Sequence, residues 1–288
     1  MDIYIVMDME GISGISYGSM VRVGHTEWST RGRLLATADL NAAIEGALAA
    51  GAKRIWVKDG HDAGENLVRE ELHPAAELLS GTYTVPGQMP GLDKSFDAVF
   101  LIGFHARMGT LYAHFDHTIT TASVSEVRLN NVPIGEIGIY GAYAGIYGVP
   151  VTLVTGDLAA VQEATELFGD DLITVAVKQG YGRFSARIPA PEHVRPRISA
   201  AAREAAQAKR EPYRLTSPAT VAVDFLRSAD ADMAEMVPGS RRSGARRVEY
   251  THDDPAEVLR ALQALVHLGG IAANRWAQAL YTTGTRVI

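Results

Sequence analysis

The chain has no cysteine, which excludes disulfides, thiolate metal sites and cysteine nucleophiles. Any transition metal must rest on histidine and carboxylate, donors that suit zinc, manganese or iron better than copper(I). Basic charge is not in excess either. Lys and Arg number 27 against 33 Asp and Glu, a formal net charge of −6, so no electrostatic case exists for nucleic acid, which normally requires a basic face. The cluster Arg241, Arg242, Arg246 and Arg247, interleaved with Ser and Gly, reads as a solvated loop or hairpin rather than a phosphate site. No run reads as the ~18–20 apolar residues of a membrane span. Met1 leads straight into an apolar run with no basic n-region or small-residue cleavage site, so a cytoplasmic protein without membrane association is expected. Repeats and low-complexity segments are lacking too.

What is present is ordinary globular composition, 47% hydrophobic over 288 residues, enough for one extended α/β domain or two smaller ones. Ile3–Met7, Arg54–Val57 and Ala98–Ile102 are short apolar runs of the kind buried on both faces in parallel sheets. Val151–Val154 and Thr174–Val177 continue the series. Leu40, Ile44 and Leu48 form one helical stripe before Gly51, and Asn66–Leu79 also looks helical despite Pro74. Val124–Leu129 alternates and meets Asn130-Asn131, a tight turn into Val132. Gly135, Gly138, Gly141 and Gly145 recur at near-helical spacing, which points to close backbone packing around Glu136–Tyr147. Asp157 is placed to cap a helix. Beyond Pro189 come an Ala-rich helix opened by Pro191, a strand Thr220–Leu226, a short strand near Val248, and a helix capped by Asp254-Pro255 with a stripe of Val258, Leu262 and Leu265. The expected fold class is α/β: a largely parallel sheet flanked by helices, with a smaller α+β C-terminal lobe. The expected domains are 1–190, the larger α/β part, and 191–288, the smaller helical and β lobe.

Three apolar strands end in possible metal ligands: Asp8 and Glu10 after the first, His61 after the second, His105 after the third. In parallel sheets ligands gather at the carboxyl ends of the strands. Residues two apart on extended chain point to one side, so Asp8 and Glu10 can converge, and Gly11 permits a sharp turn behind them. Paired carboxylates repel unless a cation lies between them. Taken singly, these residues also suit a helix cap or turn (Asp8, Glu10), an exposed loop (His61), a satisfied core (His105) and a solvent-facing helix start (Glu136). Asp59 and Asp62 flank His61 as possible partners of its imidazole. His114 and His117 lie in the loop after His105, either of them a catalytic acid or base, a third metal histidine or an exposed loop residue. The remaining histidines read as structural.

Asp8-Met9-Glu10-Gly11-Ile12-Ser13-Gly14 resembles the signature of the bacterial zinc D-aminopeptidases associated with dipeptide transport. The resemblance continues, in order, through Asp59-Gly60-His61, Leu72-His73-Pro74-Ala75, Gly103-Phe104-His105-Ala106-Arg107, Pro133-Ile134-Gly135-Glu136-Ile137-Gly138, Thr155-Gly156-Asp157 and Ala176-Val177-Lys178-Gln179. It covers about residues 1–190, which it implies to be the metal-binding α/β catalytic domain. It implies a dinuclear site of two zinc ions per subunit on Asp8, Glu10, His61, His105 and Glu136. It also implies removal of N-terminal D-amino acids such as D-alanine from short peptides, and a homodecamer of two stacked pentamers. The family's catalytic histidine follows the His-Ala-Arg motif, usually between Ser and Ser or Thr. Asp116-His117-Thr118 matches best, with Asp116 in place of Ser and a loop about one residue longer, so His114 stays a rival to His117. Lys178 and Arg107 are candidates for steadying an oxyanion or a substrate carboxylate, or for surface ion pairs. Competing functions are an amidohydrolase of L-peptides or non-peptide amides, a non-catalytic metal-stabilised peptide-binding protein, and a two-metal phosphohydrolase.

Overall fold

An apolar run with no polar residue to offer solvent must be covered on both faces, and Ile3, Tyr4, Ile5, Val6 and Met7 are all fully buried. They lie in the first strand of the computed structural model, which describes residues 1–81 and 88–282. In chain order the strands are β1 (Asp2–Met7), β2 (Arg54–Asp59), β3 (Ala76–Leu79), β4 (Ala98–Phe104), β5 (Val124–Leu129), β6 (Val132–Ile134), β7 (Val151–Asp157), β8 (Ile173–Gly182), β9 (Ser185–Arg187), β10 (Ala219–Phe225), β11 (Arg241–Arg242) and β12 (Arg247–His252). The α-helices are α1 (Arg33–Ala49), α2 (Glu136–Ile146), α3 (Leu158–Phe168), α4 (Pro191–Gln207), α5 (Ser228–Ala234) and α6 (Pro255–Thr282). They divide between two compact units. One comprises Met1–Ala106, Thr110–Asp116 and Glu136–Arg214, the other Arg107–Gly109, His117–Gly135 and Leu215–Ile288.

The first unit is built on a seven-stranded sheet of order β3-β2-β1-β4-β7-β8-β9. All its pairings are parallel except that of β9 on β8. From β1 the chain winds outward through β2 and β3, and from β4 outward through β7 and β8. The winding therefore reverses between β1 and β4, the switch point beyond whose carboxyl ends ligands gather in sheets of this kind. Leu40 and Ile44 of α1 and Ile198 and Ala202 of α4 belong to the same buried core. Close contact between these helices depends on Gly46, where a Cβ would lie 2.1 Å from the Ser199 carbonyl oxygen. The expected cap forms, with Asp157 Oδ1 accepting the Ala160 N–H at 3.0 Å.

The helix expected over Asn66–Leu79 does not form. The segment holds only a 3₁₀ turn, Arg69–Glu71, and the strand β3, which runs parallel to β2 from Ala76 to Leu79. Pro74 supplies the reason, because it disfavours helical backbone at His73 and removes an N–H donor. The glycine-spaced segment does form a helix, α2, buried nearly all round. A Cβ on Gly145 would lie 1.8 Å from the Tyr213 carbonyl oxygen and one on Gly141 2.4 Å from the Phe168 ring.

The second unit carries an antiparallel sheet of order β11-β12-β10-β5-β6. Asn130 and Asn131 turn the β5–β6 hairpin with φ of +47° and +66°, the left-handed pair that a two-residue turn of this kind requires. Asp254 caps α6 by accepting the Ala256 N–H at 2.9 Å. Its buried stripe of Val258, Leu262 and Leu265 is as the spacing predicts, and the helix packs on β10 and α5. Over Pro255–Ala273 this helix reaches a mean hydropathy of 1.2, long and apolar enough by length and composition to cross a membrane, which the sequence reading had not registered. The arginine cluster is a hairpin. Arg241 pairs with Glu249 at 2.8 Å, Arg242 with Asp232 at 2.8 Å and Arg247 with Asp224 at 2.6 Å, which commits three of the four cations to the unit's own carboxylates, while Arg246 donates to the Leu226 carbonyl at 3.1 Å.

Candidate metal centre

Five polar side chains come together in the first unit. Asp8 and Glu10 follow β1, His61 follows β2, His105 follows β4, and Glu136 is the first residue of α2. His61 Nδ1 lies 3.0 Å from Glu10 Oε2 and 3.2 Å from Asp8 Oδ1. His105 Nε2 lies 3.4 Å from both Asp8 Oδ2 and Glu136 Oε1. Ligand atoms of Asp8, Glu10 and His105 all fall within 4.8 Å of one another, and all three residues are buried.

The outer nitrogens of both imidazoles are already committed. His61 Nε2 is 2.8 Å from the Val21 carbonyl oxygen, and His105 Nδ1 is 3.0 Å from the Ala106 carbonyl oxygen. A carbonyl only accepts, so each of these nitrogens carries a proton and donates. In the neutral ring the inner nitrogen then presents its lone pair to carboxylate oxygens. Three carboxylates and two such nitrogens form an acceptor-rich cage that protons or a cation must fill. Asp8 Oδ2 shows the same deficit, since it is buried and has no hydrogen-bond donor among the described residues. A divalent cation fits this donor set.

The electrostatics agree. Burial, reinforced by the Glu10 charge, pushes the Asp8 carboxyl up to about 6. Burial alone would depress His105, but Glu136, Asp8 and Glu10 overcome it and lift the imidazole to about 10. His61 also rises well above its ordinary value, because Glu10 and Asp8 outweigh its burial. Without a metal, protons hold the carboxylates together.

The surroundings fix these side chains. The loop after β1 is tied to β4 by the bonds Asp8 N–H to Ile102 O, 2.8 Å, and Gly11 N–H to Gly103 O, 2.7 Å. Ser13 donates its N–H and hydroxyl to buried Asp39 of α1 at 2.8 and 2.6 Å. Asp59 does not touch the His61 ring. It accepts the Asn66 N–H at 2.5 Å and one amide hydrogen at 3.0 Å, while the same amide donates to the His61 carbonyl at 2.6 Å. Trp28 Nε1 donates to Asn66 Oδ1 at 2.9 Å. Asn66 is thus a supporting residue that the sequence reading missed; its only signal was a polar residue opening a segment read as helix. Lys58 donates to the Tyr140 hydroxyl at 3.2 Å, one turn of α2 beyond Glu136. Burial pushes this lysine down to about 8, against the pull of Asp59, Asp8 and Glu136.

Lys178 is neither a surface cation nor free for an oxyanion. It is buried and donates to the carbonyls of Glu10, Ile12 and Ile15 at 2.6, 3.0 and 2.8 Å. His114 is fully buried, its Nε2 bound to the Ser16 carbonyl at 3.2 Å, and burial lowers its pKa to about 4. His117 and Arg107 belong to the second unit, where His117 is half-buried.

Comparison with known proteins gives one consistent result. The family model described as D-aminopeptidase matches residues 1–264. A D-aminopeptidase of Bacillus subtilis is 32% identical over 271 residues, 93% of this chain and 97% of the relative. A solved structure, the Zn-dependent D-aminopeptidase DppA from Bacillus subtilis, described as a self-compartmentalizing protease, superposes with a TM-score of 0.89 at 32% identity. The match covers 94% of this chain and 98% of that one.

Proposed function

This chain belongs to the D-aminopeptidase family, and from that premise we propose that it is a zinc-dependent aminopeptidase releasing N-terminal D-residues such as D-alanine from short peptides. The observation that carries the reading is the acceptor-rich cage of Asp8, Glu10, His61, His105 and Glu136, with both outer imidazole nitrogens bound to backbone carbonyls. These five residues would hold two zinc ions, which supply Lewis-acid polarisation of the scissile carbonyl and acidification of water. Carboxylates not fully engaged as ligands attract the free α-ammonium of a peptide, which favours cutting at an N-terminus. His117 carries the proton between nucleophile and leaving amine. Its partial exposure supports this role over His114, whose buried ring is tied to Ser16. The relative described as self-compartmentalizing supports assembly of this chain with copies of itself; the form we propose is a decamer of two pentameric rings.

Zinc analysis paired with D-Ala-D-Ala hydrolysis tests the reading. Two zinc equivalents are expected, with activity lost in chelator and restored by zinc. Glu10→Ala is expected to lose zinc by more than the about 10–100-fold typical of losing an outer-shell partner. Undiminished activity in Glu10→Ala would overturn the site, and faster turnover of L- than D-aminoacyl p-nitroanilides would overturn the D-specificity. Sedimentation at a single 30.9 kDa chain would overturn the assembly.

A further inference from the structure

Glu10 sits in a loop, where no helix or strand ladder fixes the direction of its side chain. Its peptide is gripped from two sides instead. On one side the N–H of Gly11 bonds the Gly103 carbonyl at 2.7 Å. On the other the Glu10 carbonyl accepts from Lys178 Nζ at 2.6 Å, the shortest of that ammonium's three bonds. Lys178 belongs to β8, where it stands in register with Asp157 of β7. It therefore reaches the ligand loop from a different part of the sheet. An ammonium has three donors, and the carbonyls of Glu10, Ile12 and Ile15 engage all three. The loop from Glu10 to Ile15 is folded around this buried charge, and no donor is left for a substrate.

We propose that Lys178 is a positioning residue of the metal centre: from behind the ligand loop its ammonium holds the Glu10 backbone so that the carboxylate points into the cage. The role rests on the metal-centre reading above and extends it to a residue that touches neither metal nor peptide. A lysine that served only the fold would affect stability alone. A positioning lysine sets zinc affinity and ligand geometry in protein that is still folded.

Lys178→Met keeps an unbranched side chain, one atom shorter, and removes the donors. Zinc affinity, read by chelator competition on folded protein, is expected to fall by about 10–100-fold, the usual cost of losing an outer-shell partner. The visible spectrum of the cobalt(II)-substituted variant is expected to change with it. Val248→Ala, in the core of the second unit, serves as a destabilised control and is expected to melt earlier with unchanged zinc affinity. Wild-type affinity and cobalt spectrum in folded Lys178→Met overturn the proposal, and so does an equal loss of affinity in Val248→Ala. If Lys178→Met does not fold, the absence of cysteine allows Lys178→Cys to be alkylated uniquely while denatured and then refolded beside wild type treated identically. Aminoethylation rebuilds an ammonium at nearly the original reach, whereas carbamidomethylation adds similar bulk without charge. Zinc affinity is expected to return only in the aminoethyl adduct; no advantage of that adduct over the other overturns the proposal. Wild type that takes up no zinc would overturn the metal-centre reading and the clamp together. A Glu10→Ala defect with Lys178→Met unaffected would overturn the clamp alone.

Discussion

A Cβ added to Gly11 would lie 1.9 Å from the Phe104 carbonyl oxygen and 2.5 Å from the Gly103 carbonyl carbon. Both obstructions are backbone, so neither yields by a rotamer change. Gly11→Ala is therefore expected to cost at least the about 1–3 kcal/mol usual for overpacking, measured as a fall in the midpoint of denaturant unfolding. An unchanged midpoint would mean that the loop after β1 is free to shift. At this scale the sequence speaks clearly where a charged residue has no structural use. Asp8, Glu10 and His105 interrupt apolar strands at their ends, which made them conspicuous. Lys178 was misread because its partners are main-chain oxygens up to 168 residues away, and carbonyls look the same in every sequence. Asn66 was missed for a related reason: its bonds to Asp59 and to the His61 carbonyl belong to a loop whose path no periodicity records.

Among the elements, α2 illustrates local preference giving way to packing. Alanine in place of glycine ordinarily strengthens a helix by about 1 kcal/mol. At Gly145 the added carbon would fall 1.8 Å from the Tyr213 carbonyl oxygen. Gly145→Ala is thus expected to lower the melting temperature despite the better propensity, and to loosen the hold on Glu136 at the other end of the same helix. A rise in melting temperature would contradict the packing account. The glycine spacing made the close packing legible, though not the helix itself. The segment Asn66–Leu79 misled because its leucines and glutamates imitate a helical stripe, while Pro74 sits where the backbone must extend.

The whole molecule couples its first unit to pH through the ligand cage. In metal-free protein both imidazoles bind a proton more tightly when folded than when unfolded, His105 up to about 10 and His61 well above 6.5. The stability they contribute is complete below 6.5 and is lost as pH rises through the folded values. Lys58 and Lys178, pushed down by burial to about 8, work with the opposite sign at higher pH. Between 6.5 and about 7.5 His61 and His105 dominate, losing up to about 1.4 kcal/mol per pH unit each, against a smaller and fading gain from His114, which burial lowers to about 4. Calorimetry of metal-free protein should show the melting temperature falling across that window, and saturating zinc should flatten or reverse the slope. A metal-free melting temperature that rises there would contradict the proton-filled cage. The largely parallel character of the sheet was readable from its strand runs, but the reversal of winding between β1 and β4 is a matter of pairing, which only the structure supplies. Inheritance of the ligand cage depends little on the side chains at two positions. The atoms that orient His61 and His105 are the carbonyl oxygens of Val21 and Ala106, and every codon encodes the same oxygen. Exchange at Val21 leaves its oxygen in place, and exchange at Ala106 is limited only by room. The outer shell of this centre can thus pass unaltered through generations of drift at the very positions that provide it.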